Sequence, residues 1–578
     1  MSEMTRISPP SPDPELRARA AVPVLPVLPD AAQTEPAAPE PTQPSQPAQP
    51  AQPSAEAPVP LGKATLYMAA ASIIALSQSI SMGFVSANIP QLAGDIHATT
   101  LQATWVMAAF YAPRASMPLM LIKIRNQFGL RPFAELGILA FVFASILNLY
   151  VDDLHSAVVV SFISGCAAAP LSSLAFLYMM EHVPQKYRLS LSLSGALTMI
   201  MLGRSLARVL LPTLTNSFGW VGVSEMQLGM AMLSLALVYL LPLTPRPLEK
   251  VLAPLDFVSF FLLAAGFGGV TVSFLFGPYD YWTQTPWLGA LLAVAVACIA
   301  TAVAIELNRK DPLIDMAWVL SPPILHLSAT LLIFRIALSE QTAGVVGMFR
   351  ALGLVPAQEQ MLFAIITGSM LLGGVVCAIW NKAERAPLFH AIALVLIASG
   401  AWMDSSSTIL TRPEQMYVSQ AMIGFASLLF LPPAMAQGLM AAFAKGPNYL
   451  LSFVIVFLAT QSLGGIIGSG LFRSLLVRFS ALHSADLSAQ IAPGNAQLSG
   501  TLNALAAQYG TTITDSAMRS AGAISQVASS VSLQATVLAY DDMFRLIAWL
   551  SIAALAALLL HLGWRRGYAR WGAPARTA

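Results

Sequence analysis

The sequence predicts an all-α integral membrane protein, and two observations carry that prediction: the overall composition and the spacing of long apolar runs. Hydrophobic residues make up 56% of the 578 and charged residues 10%, while the mean hydropathy is +0.68. That leaves too little polar matter to cover a water-soluble surface. A helix needs roughly 20 mostly apolar residues to cross a hydrocarbon core of about 30 Å, with its backbone groups bonded within the span. Fourteen such runs follow one another, and they number the spans used below: near 65–86, 102–122, 133–150, 156–180, 190–212, 221–243, 255–276, 287–306, 324–348, 360–380, 387–403, 414–439, 448–475 and 541–563.

Residues 1–60 come first, with Pro-Ala-Gln-Pro runs around Gln46 to Ala55 and almost no large apolar side chains. They read as a disordered, cytoplasmic Pro/Ala-rich tail. The segment lacks the basic start, short apolar core and small-residue cleavage site of a secretory signal, so the run near Leu66 is expected to be an uncleaved signal anchor. With the tail inside, alternate loops receive Lys123, Arg125 and Arg131, then Lys186 and Arg188, Arg246 and Lys250, Arg309 and Lys310, Lys382 and Arg385, and Lys445. The C-terminus, 567–578 and the residues just before it, adds Arg565, Arg566, Arg570 and Arg576. The opposite loops, Gly94 to Thr99, Val151 to His155, Thr213 to Gly219 and Pro278 to Thr285, hold no Lys or Arg. This positive-inside alternation supports an even span count and cytoplasmic termini, the expectation being a multi-pass inner-membrane protein. One external segment, 477–540, is long and rich in Ala, Ser, Gln and Thr, with apolar residues at helical intervals. A helical hairpin outside the membrane and a flexible loop both fit it.

Several function classes fall away. The net charge is +2 and the basic residues are scattered, so no nucleic-acid footprint exists. Cys166, Cys298 and Cys377 lie in apolar runs without zinc-ligand spacing, which predicts neither disulfide nor metal centre. No catalytic triad or nucleotide-binding glycine loop points to an enzyme or an ATPase, and no cofactor is expected.

Short motifs then narrow the reading. Asn88-Ile89-Pro90-Gln91-Leu92-Ala93-Gly94-Asp95-Ile96, followed by Thr104-Trp105-Val106, joins spans 1 and 2. Asn126-Gln127-Phe128-Gly129-Leu130-Arg131 joins spans 2 and 3. Pro312-Leu313-Ile314-Asp315, Leu431-Pro432-Pro433, and Leu463-Gly464-Gly465-Ile466-Ile467-Gly468 follow in order, and Leu538-Ala539-Tyr540-Asp541-Asp542-Met543-Phe544 leads into span 14. In order and spacing, from about residue 65 to 565, these resemble the fourteen-span drug:proton antiporters of the major facilitator superfamily, the EmrB and QacA exporters. The resemblance implies a major facilitator fold: six-helix bundles at 61–245 and 322–566, with two inserted helices in 246–321. It also implies alternating access and a periplasmic adaptor as partner. The chain departs from the family pattern where Ser81 replaces an acid of span 1, where Ser161 replaces an arginine of span 4, where Asn126 replaces an aspartate, and where Gly203-Arg204-Ser205-Leu206-Ala207-Arg208 replaces a repeated Gly-Pro pair in span 5.

Ionisable residues inside spans are costly, roughly 2.5–3.5 kcal/mol at a helix centre on insertion scales, so they usually face a cavity or a partner. Here they are Arg114, Arg204, Arg208, Glu225, Arg335 and Glu340. Arg204 and Arg208, four apart, share a helix face, with Gly203 and Ala207 as a small-residue stripe beside it. The planar guanidinium suits carboxylates and phosphates, so Arg114, Arg204 and Arg335 are candidates for an anion-favouring cavity, with internal pairing as the alternative and snorkelling as a further one for Arg208. Gln341 is a candidate hydrogen-bonding neighbour to the substrate. Glu225 and Glu340 are candidate proton-coupling acids, with structural ion pairing as the alternative. Arg335 and Glu340, five apart, point about 140° from one another, which predicts that Glu340 answers to a different span. Gly203, Gly464, Gly465 and Gly468 are read as close-packing or rocking positions, and Asn126 and Gly129 as part of the turn that moves with them. The functional expectation is proton-coupled efflux of amphipathic toxic compounds across the lipid bilayer, with small organic anions as a candidate substrate class. Two rivals stay open: a substrate:proton importer, and a transporter-derived sensor or scaffold.

Overall fold

The computed structural model describes Leu61–Trp571 apart from Asn88, Arg246, Pro247, Glu249, Tyr281, Thr283 and residues 491–495. The predicted tail 1–60, and the part of the predicted C-terminal tail from 572 onward, lie outside the described residues. The described chain is helical, with no strand among the described residues.

Twelve helical stretches are long and apolar enough to cross a membrane. The Ser190–Leu240 stretch is bent at Gly219, whose φ of 65° and ψ of −158° are closed to most side chains. Its two limbs correspond to spans 5 and 6. Span 2 is interrupted rather than missing: Thr100–Ser116 passes through Met117, at right-handed helical angles, into Pro118–Phe128. Proline at the first position of the second piece removes one helical donor. Thirteen of the fourteen apolar runs fall on the twelve stretches, two of them on the bent one, and the span 2 run falls on the divided helix outside the twelve.

Local chemistry sets the ends. Thr99 Oγ1 accepts from the Gln102 backbone N–H at 3.2 Å, and Gln102 Oε1 accepts from the Thr99 N–H at 2.9 Å, a reciprocal cap that starts span 2. Asp153 and Ser156 start span 4, Leu154–Met180, in the same way. Gly129, at φ 94°, turns the chain between spans 2 and 3.

Span 1, Leu61–Ala87, lies along the first limb of Leu193–Leu240 at backbone distance. A Cβ at Gly203 would lie 2.0 Å from Ser79 Oγ, and one at Gly83 would lie 2.4 Å from Ala207 Cβ. The small-residue stripe read from the sequence is therefore a helix-packing device. The inserted helices, Pro254–Asp280 and Pro286–Leu307, pack on each other, and the first also meets spans 2 and 13. Span 10, Gln360–Trp380, packs on span 12, Tyr417–Lys445, and on span 5 of the first bundle.

On the face carrying the basic loops, an ion network ties the inserted pair to span 2. Lys123 Nζ reaches Asp256 at 2.9 Å, and Arg309 reaches both Asp256 and Glu306 at 2.8 Å. Leu313 and Ile314 donate their backbone N–H groups to Glu306, and the Asp315 N–H reaches Ser452 Oγ of span 13 at 3.1 Å. Outside the membrane, Arg309 is held above the usual arginine range: burial works against its charge, but the hydrogen bonds to Glu306 and Asp256 outweigh it.

Of the two readings of 477–540, the structure gives the helical one. Pro447–Gln490 and Ser516–Trp571 continue well past the membrane-length portion, with Ala496–Tyr509 packed on the second of them. His483 Nε2 meets Asp542 Oδ2 at 2.7 Å, and Ser480 meets Thr536 at 3.3 Å.

Candidate functional site

Between the bundles lies a cavity of about 500 Å³, a size suited to a small organic molecule. Its walls reach Ser86, Thr100 and Tyr279, near helix ends on the face opposite the basic loops, and Tyr540, within the long helix Ser516–Trp571. Towards the basic face it narrows to a chamber of about 50 Å³, lined by Arg114, Ser172, Arg204 and Gln461 among others. Below that chamber, Leu119, Met120, Phe260 and Ile314 form a packed apolar cluster against which Val454 is placed.

The large cavity is lined by Arg204, Arg208, Arg335, Arg350 and Arg473, and by no aspartate or glutamate among the described residues. Spans 5 and 9 carry the central pair, one from each bundle. Arg335 is 5% exposed, and its Nη1 finds only Met201 Sδ at 4.0 Å. Its Nε has no hydrogen-bond partner among the described residues. Arg204 makes no hydrogen bond or ion pair among the described residues, and it lies close enough to Arg335 and Arg114 to repel both. Among the described residues Arg114 makes one hydrogen bond, to Ser172 Oγ at 3.4 Å, and its Nη1 has no partner. Arg208 lies with its guanidinium 5.0 Å from the Phe363 ring centroid, a cation–π position on the cavity wall rather than at the membrane surface.

The glycines of span 13 explain how Arg335 fits. A Cβ at Gly465 would lie 2.6 Å from Arg335 Nη2, one at Gly464 would lie 3.1 Å from Arg335 Cβ, and one at Gly468 would lie 3.0 Å from Ile336 Cα. Gly464 and Gly468 set the helix approach, while Gly465 clears room for the guanidinium itself.

Gln341 also lines the cavity, and its Nε2 donates to the Gln420 carbonyl at 3.2 Å and to Gln420 Oε1 at 3.3 Å. Glu340 is fully buried and answers to other spans, as its angle from Arg335 requires: Gln420 Nε2 of span 12 reaches Glu340 Oε1 at 2.8 Å. Glu225 is not brought into this assembly. It is exposed on the second limb of Leu193–Leu240 and makes no hydrogen bond or ion pair among the described residues. Asn126 accepts from the neighbouring Arg125 at 3.3 Å, beside the Gly129 turn.

Sequence reasoning did not single out Arg350, Arg473, Gln461, Asp404 or Gln420. Arg350 and Asp404 fall just beyond the predicted runs, where charged residues ordinarily face water. Arg473 sits near the end of its run, where snorkelling explains a charge equally well. Polar side chains such as Gln420 and Gln461 carry no periodic signal of their own.

No family profile matches the chain. It is 25% identical over 262 residues to the multidrug export protein EmrB of Haemophilus influenzae, covering 45% of this chain and 51% of that protein. It is 29% identical over 239 residues to the fatty acid resistance protein FarB of Neisseria gonorrhoeae, covering 40% and 45%. These two alignments thus span about half the length of the proteins they match. A longer alignment, 21% identical over 525 residues, covers 87% of this chain and 95% of the probable multidrug resistance protein EmrY of Escherichia coli. Among solved structures, the human organic anion transporter TETRAN superposes with a TM-score of 0.51 at 12% identity, covering 84% of this chain and 99% of that one, a likeness of fold.

Proposed function

We propose that this chain, similar to EmrB-type exporters of the major facilitator superfamily, exports amphipathic organic anions from the cytoplasm, driven by protons, by alternating access of two six-helix bundles. On this reading the protein sits in the inner membrane with fourteen spans and both termini cytoplasmic. The helical extension of spans 13 and 14 is where a periplasmic adaptor docks.

The observation that carries the proposal is the cavity lined by five arginines and no acid among the described residues. The guanidinium groups of Arg204 and Arg335, without an ion-pair partner among the described residues, are unfavourable by themselves in a low-dielectric site, and an anionic guest removes that penalty. The apolar wall, including Met107, Phe274 and Phe363, suits the hydrophobic part of the guest. Arg204 and Arg335 come from different bundles and repel, so an anion between them stabilises the arrangement in which the bundles approach. That differential stabilisation is what substrate-driven rocking requires. In the conformation seen here the cavity reaches the predicted external face, where an exporter releases its substrate and takes up a proton. Glu340 is the coupling acid of this proposal, and Gly203, Gly464 and Gly468 are the close contacts about which helices shift.

The test is flux into inverted vesicles under an imposed proton gradient, comparing an aromatic carboxylate with a lipophilic cation. Gradient-dependent accumulation of the carboxylate supports the proposal. Preference for the cation refutes the anion assignment, and accumulation of neither refutes export.

A further inference from the structure

Glu340 does not stand alone. Gln420 Nε2 donates to Glu340 Oε1 at 2.8 Å and to Asp404 Oδ2 at 2.7 Å, so one amide nitrogen holds two carboxyls from two different spans. Glu340 begins the wide helical turn Glu340–Gly344 in span 9, and Asp404 ends span 11, Ala386–Asp404. Their exposures are 0% and 3%, and Gln420 and Ser419 are fully buried beside them. Ser419 Oγ donates to the other Asp404 oxygen. Glu340 Oε2 is the orphan: it is buried and has no donor among the described residues. The Asp404 carboxyl stands close to the Glu340 carboxyl, since the same amide nitrogen reaches both.

No cation among the described residues settles this pair. On the surrounding elements, Arg545 is engaged with Asp542 at 3.1 Å and with the Ser405 carbonyl at 3.1 Å, and His483 with Asp542 at 2.7 Å. Asp541 accepts from the Ser407 N–H at 3.0 Å. Arg350, Arg473 and Tyr540 look into the central cavity. None of these makes an ion pair or hydrogen bond with Glu340 or Asp404 among the described residues. Two ionised carboxylates held behind one amide in a dry site repel, and the orphan oxygen lacks a donor. A single added proton answers both defects, because an O–H on either carboxyl donates to the other.

We propose that Glu340 and Asp404 jointly bind the coupling proton, and that Gln420 and Gln341 connect that site to the substrate cavity. The inference rests on the proton-driven reading above and moves the proton site into the C-terminal bundle, away from span 1, where Ser81 offers no carboxyl. The proton comes from water on the predicted external face, binds between the two carboxyls, and leaves as a hydronium ion on the opposite side after the bundles rock. Gln420 uses both amide hydrogens on the pair, while its Oε1 accepts from Gln341, a cavity-lining side chain. A change in protonation therefore shifts a hydrogen bond at the cavity wall.

The experiment uses the full chain in lipid nanodiscs and in proteoliposomes. Infrared difference spectra between acidic and alkaline buffer report the carbonyl stretch of a protonated carboxyl. The wild type is expected to show a buried carboxyl band that Glu340→Gln and Asp404→Asn each remove, and that Asp404→Glu restores. In proteoliposomes, gradient-driven accumulation falls by about tenfold or more in both neutral variants, with a smaller loss in gradient-free substrate exchange. A band unchanged in either neutral variant overturns the shared site, as does an equal loss of exchange and accumulation. If wild-type exchange is absent, the transport reading fails, and the infrared result still decides the proton site by itself. If a neutral variant does not reach the membrane, Asp404→Glu decides: loss of the carboxyl band in that variant overturns the proposal.

Discussion

Replacing Arg204 by glutamine tests the anion cavity most directly, because the structure separates two roles that arginine substitutions usually confound. A structural arginine has partners, and its loss leaves them unsatisfied. Arg204 has none among the described residues, and its charge faces those of Arg335 and Arg114. Removing it therefore relieves repulsion and burial cost, and the thermal midpoint of the detergent-solubilised protein should hold or rise. Substrate binding should move the other way. A hydrogen bond to a charged group contributes about 1.5–3 kcal/mol, and each 1.4 kcal/mol is about tenfold in affinity. The half-saturating concentration of an aromatic carboxylate should rise about 10- to 100-fold, while that of a lipophilic cation should hold or fall. Both are read by flux in inverted vesicles and Tm by a dye-based melt. A clear drop in Tm with unchanged carboxylate affinity would refute the reasoning, since it would mean that Arg204 is internally paired.

The remaining predictions probe the surrounding packing. Gly465→Ala places a Cβ 2.6 Å from Arg335 Nη2; the guanidinium end swings aside, so carboxylate affinity should fall several-fold with little change in Tm. Gly203→Ala meets Ser79 Oγ at 2.0 Å and the Ser79 backbone carbon at 2.7 Å, so the helices must separate at a cost of about 1–3 kcal/mol. The Tm should drop, and adding Ser79→Gly should recover only part of it. Asp256→Asn leaves Lys123 and the Arg309 side chain without their shared carboxylate. It should destabilise by about 3–5 kcal/mol, as broken buried pairs do, read as loss of monodisperse protein on heating. Glu225→Gln should leave the pH dependence of transport unchanged, since that side chain is exposed and outside the cavity; a shifted pH profile would restore it as a coupling acid.

By itself the sequence determined what depends on local averages. Apolar runs of membrane length and their alternating basic loops are sums over neighbouring positions, so fold class and predicted orientation were legible before any packing was known. The stripe of Gly203 and Ala207 was legible too, because helical spacing alone places small residues on one face. Only the tertiary structure decided which ionisable residues meet. Glu225 and Glu340 carry the same signature, one acid within an apolar run, yet one faces outward and the other is held against Asp404 through Gln420. Arg350, Arg473 and Asp404 stand near span ends, where a charge costs little, and it is the rotation and tilt of each helix that turn two of them into the cavity and the third onto Glu340. The physical reason is the range of the interactions: hydrophobic transfer is set residue by residue along the chain, whereas the pairing of buried charges depends on distances between helices that are remote in sequence.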